Sequence, residues 1–538
     1  MSNLKIIPIK IMKNFLDNFD KKIPGLNFRY SHLLFPIFLL FYLIFCFSTY
    51  KSYGLTWDED VTYNMGKSLY QILVKDSSGQ ESYFIDKNYN WSTYYNNLYP
   101  LILYSLNHKE VIESYHLLNL LFGALIFLAA YIVTFKEYKK PLYALMGVIF
   151  IFLTPRFLGD LPANPKDIPF AIMYFLSLVA IYLFSESSNK LLKSLVLGIL
   201  FGVSHSLRIL GFSLYLILLT FDLWQYFSRN KFMWSKKLAI FLSQEILSLV
   251  LIFICANFVM VITWPYLGLN YFQHLKEIFL VAREFPITPG LYPTVLFNGK
   301  IVPINEIQAI YIPLWLLITT PLFILFFFLV SPFFYKNGLK NKLYLLFGIT
   351  FLINLALYFL LKPVVYDGIR HYLFILPVIA ILAFISFVNF LSLKLKKLFW
   401  LKIFILILTF ISMVTTGVEL TRLHPYEYVY FNELIGGLRG AHRKFETDYW
   451  GASFKEAADW INENKKTFMG NDKKLYISSC VELLTLYYLD EDIVMDDNLA
   501  KLSTCYTRSN LDETQKGQVV HVVQREGIPL NVIKIIQK

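Results

Sequence analysis

Three short polar runs in this chain carry residues that could do acid–base or phosphate chemistry. The first is TWDED, Thr56 to Asp60, where Asp58, Glu59 and Asp60 follow directly on an apolar segment. Acidic side chains in a first helical turn stabilise that turn through the helix dipole. A carboxylate at the edge of a membrane can also take a proton from an arriving hydroxyl. The second run, TPRFLGDLPANPKDIPF from Thr154 to Phe170, sets Arg156, Asp160, Lys166 and Asp167 among four prolines. Prolines hold such a turn extended and stop the flanking helices from running through it. Snorkelling to water explains each charge singly, but not two basic residues facing two acidic ones. The third run, KPVVYDGIRHYLFILP from Lys362 to Pro377, brings Tyr366, Asp367, Arg370 and His371 to the mouth of an apolar segment. An Asp367–Arg370 salt bridge would satisfy those charges, and so would a bound phosphate, which matches the fixed donor fork of arginine. Arg208, beside His205, ends another apolar segment and can join the same cationic site.

The elements that must position these residues are membrane spans. Apolar residues make up 56% of the chain and aromatics 18%, a composition of polytopic membrane proteins. Eleven apolar segments are expected at 32–50, 115–135, 141–156, 168–186, 192–207, 210–227, 238–264, 308–332, 343–361, 371–392 and 402–420. Lys and Arg concentrate in the N-terminal arm and in alternate loops: Lys136, Lys139 and Lys140; Lys190 and Lys193; Arg229, Lys231, Lys236 and Lys237; Lys336, Lys340 and Lys342; Lys394, Lys396, Lys397 and Lys402. The positive-inside rule makes these cytoplasmic and puts all three polar runs outside. The net charge of +12 is thus a topology signal, and no basic patch remains for nucleic acid. No cleavable signal pattern is seen, so the first span is expected to stay as an anchor.

This gives three parts: a cytoplasmic arm, 1–31; a transmembrane domain, 32–420, with external loops 51–114 and 265–307; and an external C-terminal domain, 421–538. In the first loop, Thr56 and Glu59 form a capping-box pair, and Val61, Met65, Leu69 and Ile72 follow at helical spacing. That predicts a helix lying on the membrane surface. The tail reads as a small α/β unit, with a second capping-box pair at Ser453 and Glu456 and strand-like runs at 474–480, 518–524 and 530–536. Cys480 and Cys505 both fall in the tail, and an oxidising compartment would allow them to pair. Nucleotide-binding glycine loops and zinc motifs are absent from the sequence. A phosphate carried on a membrane lipid therefore suits the cations better than a cytoplasmic nucleotide.

Taken together, these residues and this topology resemble the GT-C superfamily of integral-membrane glycosyltransferases, near the protein O-mannosyltransferases (glycosyltransferase family 39) and the bacterial aminoarabinose transferases of lipid A. In that class an acidic motif in the first external loop holds the catalytic base, and Asp58 and Glu59 match it in position. NPKDIPF matches a charged second external loop, while YDGIRHYLF, HPYEYVYFN (His424 to Asn432) and DYWGASFKE (Asp448 to Glu456) look like a group of bacterial members. The chain departs from the eukaryotic O-mannosyltransferases in having nothing like their β-trefoil domain. The resemblance implies an inverting transfer from a polyprenyl-phosphate sugar to a hydroxyl acceptor on an envelope glycan, lipid or protein. Asp58 would be the general base and Glu59 would orient the acceptor or tune that base. Lys166, Arg208, Arg370 and His371 would hold the donor phosphate, with Asp160, Asp167, Tyr366 and Asp367 in support. It implies no organic cofactor; relatives that transfer whole oligosaccharides use a divalent metal on external carboxylates, and Asp160 and Asp167 leave that open. From the residues alone, a transporter or flippase, or a non-catalytic assembly protein for envelope glycans, is the alternative class.

Overall fold

The computed structural model describes residues 28–74, 98–106, 112–230, 236–283, 293–334, 341–393 and 398–536. The N-terminal arm up to residue 27, much of the first external loop and Lys231, Lys336, Lys340, Lys394, Lys396 and Lys397 lie outside them. Among the described residues, eight helices are long and apolar enough to cross a membrane. Three shorter apolar helices, Pro141–Phe152, Asp167–Leu183 and Ile304–Thr319, stand where three further spans are expected. The chain is a polytopic helical membrane protein with a small strand-containing domain at its C-terminus.

The elements that bear on the site are α1 (Leu34–Thr49), α2 (Trp57–Leu73), α3 (Leu98–Leu106), α4 (Ile112–Tyr138), α5 (Pro141–Phe152), α6 (Pro155–Asp160), α7 (Asp167–Leu183), α8 (Lys190–Leu207), α9 (Ser213–Arg229) and α10 (Lys236–Thr263). They are followed by α11 (Ile304–Thr319), α12 (Leu322–Leu329), α13 (Lys342–Leu361), α14 (Ile375–Ser392), α15 (Phe399–Leu423) and α16 (Phe454–Met469). Helix α14 is the axis of the bundle: nearly every side chain along it is buried. A helix that is apolar on all sides has no face to give to water, so it packs inside the others.

Three expected boundaries change. The span expected at 308–332 is two helices, because Pro321 cannot continue α11 and Thr320 turns extended. The carbonyls this break frees are taken by Asn432, whose side-chain amide donates to Leu317 O and Thr320 O at 2.7 Å each. Broken helices survive at membrane depth when buried protein groups re-satisfy the backbone in this way. The span expected at 141–156 stops at Phe152, and a separate short helix, α6, holds Arg156 and Asp160. The span expected from 371 starts at Ile375, after a single 3₁₀ turn at Arg370–Tyr372.

The tail holds one mixed sheet, whose five strands are β1 (Leu475–Ser479), β2 (Ile493–Met495), β3 (Leu502–Tyr506), β4 (Gln518–Arg525) and β5 (Ile528–Ile535). Their order is β2-β1-β3-β5-β4, with β1 parallel to β2 and β3 and the rest antiparallel. The expected runs at 474–480, 518–524 and 530–536 are β1, β4 and β5. Strands β2 and β3 were not expected. β3 is buried on both faces and so lacks the alternation that marks a half-exposed strand. Cys480 and Cys505 are joined by a disulfide.

The expected capping box at Ser453 is absent, although α16 begins there. The Ser453 hydroxyl donates instead to the buried Asp448, and Glu456 pairs with Arg525. Asp448 also accepts the Gly451 and Ser453 amides, so it organises the turn that the pair was expected to organise. The first capping box does form in half: the Thr56 amide donates to Glu59 Oε2 at 2.9 Å, while the Thr56 hydroxyl bonds Ala163 O as well as Glu59.

Between α15 and the sheet, residues 424–453 form a buried strap pressed against the helix ends. A Cβ on Gly159 would stand 2.2 Å from Tyr428 N, and one on Gly54 would stand 2.1 Å from Ala452 O. Both contacts are backbone, so only glycine fits at either place. These two glycines let the strap close over α6 and over the approach to α2.

Candidate functional site

The three polar runs and the end of α8 meet at one end of the bundle, around a single guanidinium. Arg370 is buried and serves three carboxylates: Asp58 Oδ2 at 2.5 Å, Asp367 Oδ2 at 3.2 Å and Asp167 Oδ2 at 3.4 Å. Each element that brings a partner ends or turns here. Asp58 lies in the first turn of α2, and Asp167 is the first residue of α7. Asp367 and Gly368 have φ of +56° and +69°, a left-handed turn that ends the extended segment after α13. Asp tolerates that region better than most residues, and the Tyr311 hydroxyl holds the Gly368 amide at 2.9 Å.

Asp167 and Asp367 each take a second guanidinium. Asp167 Oδ1 accepts from Arg208, and Asp367 Oδ1 accepts from Arg508 at 2.6 Å. The result is an alternating chain, Arg208–Asp167–Arg370–Asp367–Arg508, with Asp58 attached at its centre. Burial decreases toward the ends: the Arg370 side chain is 6% exposed, those of Arg208 and Arg508 21% and 26%. Lys166, half-buried at the start of α7, faces Arg208, Asp58, Asp167 and Arg370. Burial and the nearby Arg208 pull its ammonium down to about 7, against the opposing pull of Asp58. His371 packs edge-on against Tyr366, whose phenol burial pushes up to about 12.

The remaining expected residues are placed as follows. The Glu59 carboxylate is buried and committed to Thr56 on one oxygen and to His116 Nε2 at 2.9 Å on the other. Asp60 bonds Asn64 at 3.3 Å, with burial raising its carboxyl. Asp160 accepts from Trp450 Nε1 at 2.8 Å and Asn164 Nδ2 at 3.2 Å, and burial pushes its carboxyl up to about 6. Arg156 donates to Tyr430 O at 2.9 Å and lies over the neighbouring rings of Trp315 and Phe431. The charges of the second run therefore face one another, Arg156 with Asp160 and Lys166 with Asp167, and also reach outward to the strap, Arg208 and Arg370. His205 is buried flat against Phe212, 4.1 Å between centroids, among further aromatic rings.

The sequence did not point to Trp450 or Arg508. Trp450 covers the face of Arg370, with the guanidinium carbon 4.4 Å from the ring centroid, an arrangement that stabilises a desolvated cation. The signal available for Trp450 was its place in DYWGASFKE, a segment singled out without a role. Arg508 follows a strand that was itself missed. Among the described residues no three His, Cys, Asp or Glu side chains group so as to hold a metal ion. Asp167 and Asp367 are each engaged by two guanidinium groups, and Asp160 by an indole and an amide, so a divalent cation does not fit these carboxylates.

Fold and site define a multi-pass membrane protein with a cation-rich, carboxylate-bearing centre at one end of its helices and a C-terminal domain closed over that end. No protein-family model and no curated protein matches the chain. It is similar to the solved structure of ArnT from Cupriavidus metallidurans bound to undecaprenyl phosphate, at 12% identity and a TM-score of 0.49, over 92% of this chain and 97% of that one. It is also similar to the archaeal oligosaccharyltransferase AglB from Archaeoglobus fulgidus in complex with an inhibitory peptide and a dolichol-phosphate. There the identity is 12% and the TM-score 0.41, over 84% of this chain and 66% of that one.

Proposed function

We propose that this protein is a GT-C-type glycosyltransferase that moves a sugar from a polyprenyl-phosphate donor to a hydroxyl acceptor at the extracytoplasmic face of the plasma (inner) membrane. One observation carries the reading: a carboxylate, Asp58, is fixed by a buried guanidinium within a cluster of further cations at one end of the bundle. Arg208, Arg370, Arg508 and Lys166 face Asp58, Asp167 and Asp367. The guanidinium of Arg208, partly exposed at one end of this chain of charges, suits phosphate oxygens.

Asp58 is held through one oxygen and its side chain is 15% exposed, so it can face an acceptor. It takes the acceptor hydroxyl proton as that oxygen bonds to the anomeric carbon. The carbon–oxygen bond to phosphate breaks, the electron pair leaves on polyprenyl phosphate, and the anomeric centre inverts. One base suffices for a single displacement. Lys166 and Arg208 neutralise charge gathering on the departing phosphate, and Arg370 aims Asp58. His371, kept neutral by burial and the neighbouring Arg370 and Arg208, can offer that phosphate a hydrogen bond. Glu59, through Thr56 and His116, positions the turn that carries Asp58. The acceptor is a glycan, lipid or protein.

The domain division at 32–420 and 421–538, the cytoplasmic N-terminus and the external tail belong to this reading. They are supported by the alternation of basic loops and by the Cys480–Cys505 disulfide, which suits an oxidising compartment. Crowding of the charges at one end of the bundle, away from the midplane, weighs against a transporter. The test gives wild type and Asp58→Asn radiolabelled polyprenyl-phosphate sugars and a membrane extract. Transfer by wild type alone supports the class and the base; equal transfer by both removes Asp58 from that role. No transfer with any donor favours the transporter or assembly readings.

A further inference from the structure

The tail does more than cover the site, because it inserts Arg508 as the terminal link of the charge chain. Three observations bear on that residue. Its guanidinium reaches Asp367 Oδ1 at 2.6 Å and also Tyr449 O at 3.4 Å, in the strap. The two residues after it, Ser509 and Asn510, both have left-handed backbones, with φ of +49° and +60°. For Ser such a conformation costs of order 1 kcal/mol or more, and persists only where surroundings impose it. Here they do. The buried Glu446 carboxylate accepts both the Ser509 amide and its hydroxyl at 3.1 Å, and Arg443 holds Asn510 at 3.2 Å and Asp512 through both its amino groups.

The partner is on a left-handed turn too. Asp367, three residues before Arg370, has no helix to fix it, since only a 3₁₀ turn separates it from α14. The Tyr311 hydroxyl fixes the Gly368 amide of this turn. Without Arg508, however, the Asp367 carboxylate would be tied down by Arg370 alone, and Arg370 is also the group that aims Asp58. A carboxylate and a guanidinium that only position each other are poorly determined; a third anchor from the sheet-bearing tail determines them. The strained loop at 507–510 places that anchor.

We propose that Arg508 is a positioning residue of the site. By gripping Asp367 it locks the 366–370 turn, so that the Arg370 fork presents one amino group to Asp367 and the other to Asp58. The tail is then an integral part of the active centre, not an appended recognition module. This rests on the reading of Asp58 as the base, but the first measurement below does not.

Hydrogen exchange on the full-length protein in lipid nanodiscs, with no donor present, reads the turn directly. Arg508→Gln is expected to raise exchange of peptides spanning 363–374 by about tenfold, as one ion-pair anchor is lost. Peptides from β4 and β5 should stay unchanged, which separates local release from an unfolded tail. Arg508→Lys, which keeps the charge, should restore most of the protection. Unchanged exchange at 363–374 in Arg508→Gln, or equal loss across β4 and β5, overturns the proposal whether or not the protein transfers sugar.

Transfer kinetics then read the consequence. Arg508→Gln should lower kcat by roughly tenfold to a hundredfold, the range for a misaimed catalytic group, with KM for the lipid donor within about twofold, because Lys166, Arg208 and His371 stay in place. A loss in KM at constant kcat would make Arg508 a donor ligand and sink the positioning role. Wild type that transfers nothing, with the exchange result intact, would remove the glycosyltransferase reading and leave Arg508 as the lock of that turn.

Discussion

The two ends of the helix bundle both carry ion pairs, but they are built differently. At the far end, reached by the C-termini of α7 and α9 and the N-termini of α8 and α13, pairing joins one helix to the next. Lys193 meets Asp222 at 2.7 Å, Lys190 meets Glu245 at 3.0 Å, and the exposed Glu186 meets Arg229 at 3.0 Å and also Lys342. Each of these links neighbouring helices; Lys193, Asp222 and Glu245 are buried, with Glu245 beside Asp222, while Glu186 is exposed. At the site end one buried guanidinium serves three carboxylates from three separate parts of the chain, and two of those carboxylates are shared again. Helix packing needs only the first kind. Burying charges is costly even when they are paired, and both ends do it; what sets the site end apart is one guanidinium shared among three separate parts of the chain.

The comparison can be broken or sharpened by substitution. The largest effect is expected from Asp58→Asn: transfer should fall about a thousandfold, within the range for loss of a general base. Thermal unfolding should change little, because Arg370 keeps Asp167 and Asp367. Survival of transfer in this variant would remove the distinction between the ends. Next, Arg370→Gln should cost about 3–5 kcal/mol, as it leaves buried carboxylates without their shared partner; unfolding in detergent reads this. If it costs no more than an exposed pair, the hub is not a hub.

Arg208→Gln should raise donor KM by about tenfold, the worth of one charge-assisted hydrogen bond to phosphate, and lower kcat as well, because Arg208 also meets the charge that develops on the departing phosphate. Lys166 gives a pH signature. Its lowered value of about 7 means the ammonium is charged below neutrality and loses its proton as pH rises through that point. Donor KM should therefore climb above neutral pH, and Lys166→Arg should flatten that alkaline limb. The smallest effect belongs to the far end: Glu186→Gln should change stability by about 1 kcal/mol or less and transfer not at all. A marked loss of transfer there would mean that the two ends are coupled.

Much of the site end was legible as a list of parts. Asp58, Lys166, Arg208, Arg370 and His371 stand out because charged residues at the ends of apolar segments have few structural reasons to be there. The apolar runs themselves set the spans, since a membrane demands long uncharged helices. What the list did not contain was valence. Sequence spacing suggested a local Asp367–Arg370 pair, and the pair exists, but nothing near Arg370 in the chain foretells Asp58, 312 residues away. Glu59 was expected beside Asp58, orienting the acceptor or tuning that base. Helical geometry sends it the other way, into Thr56 and His116, because adjacent residues on a helix point about 100° apart.

By itself, then, the sequence determined where the apolar segments fall and the residue types available for chemistry, because hydropathy and charge placement act locally and leave a local record. Only the tertiary structure decided which carboxylate is held open, which are bound twice, and that the C-terminal domain supplies Arg508 and Trp450. Those outcomes depend on where separate helix ends, a glycine-dependent strap and a strained loop converge, and no local pattern in the chain encodes such a convergence.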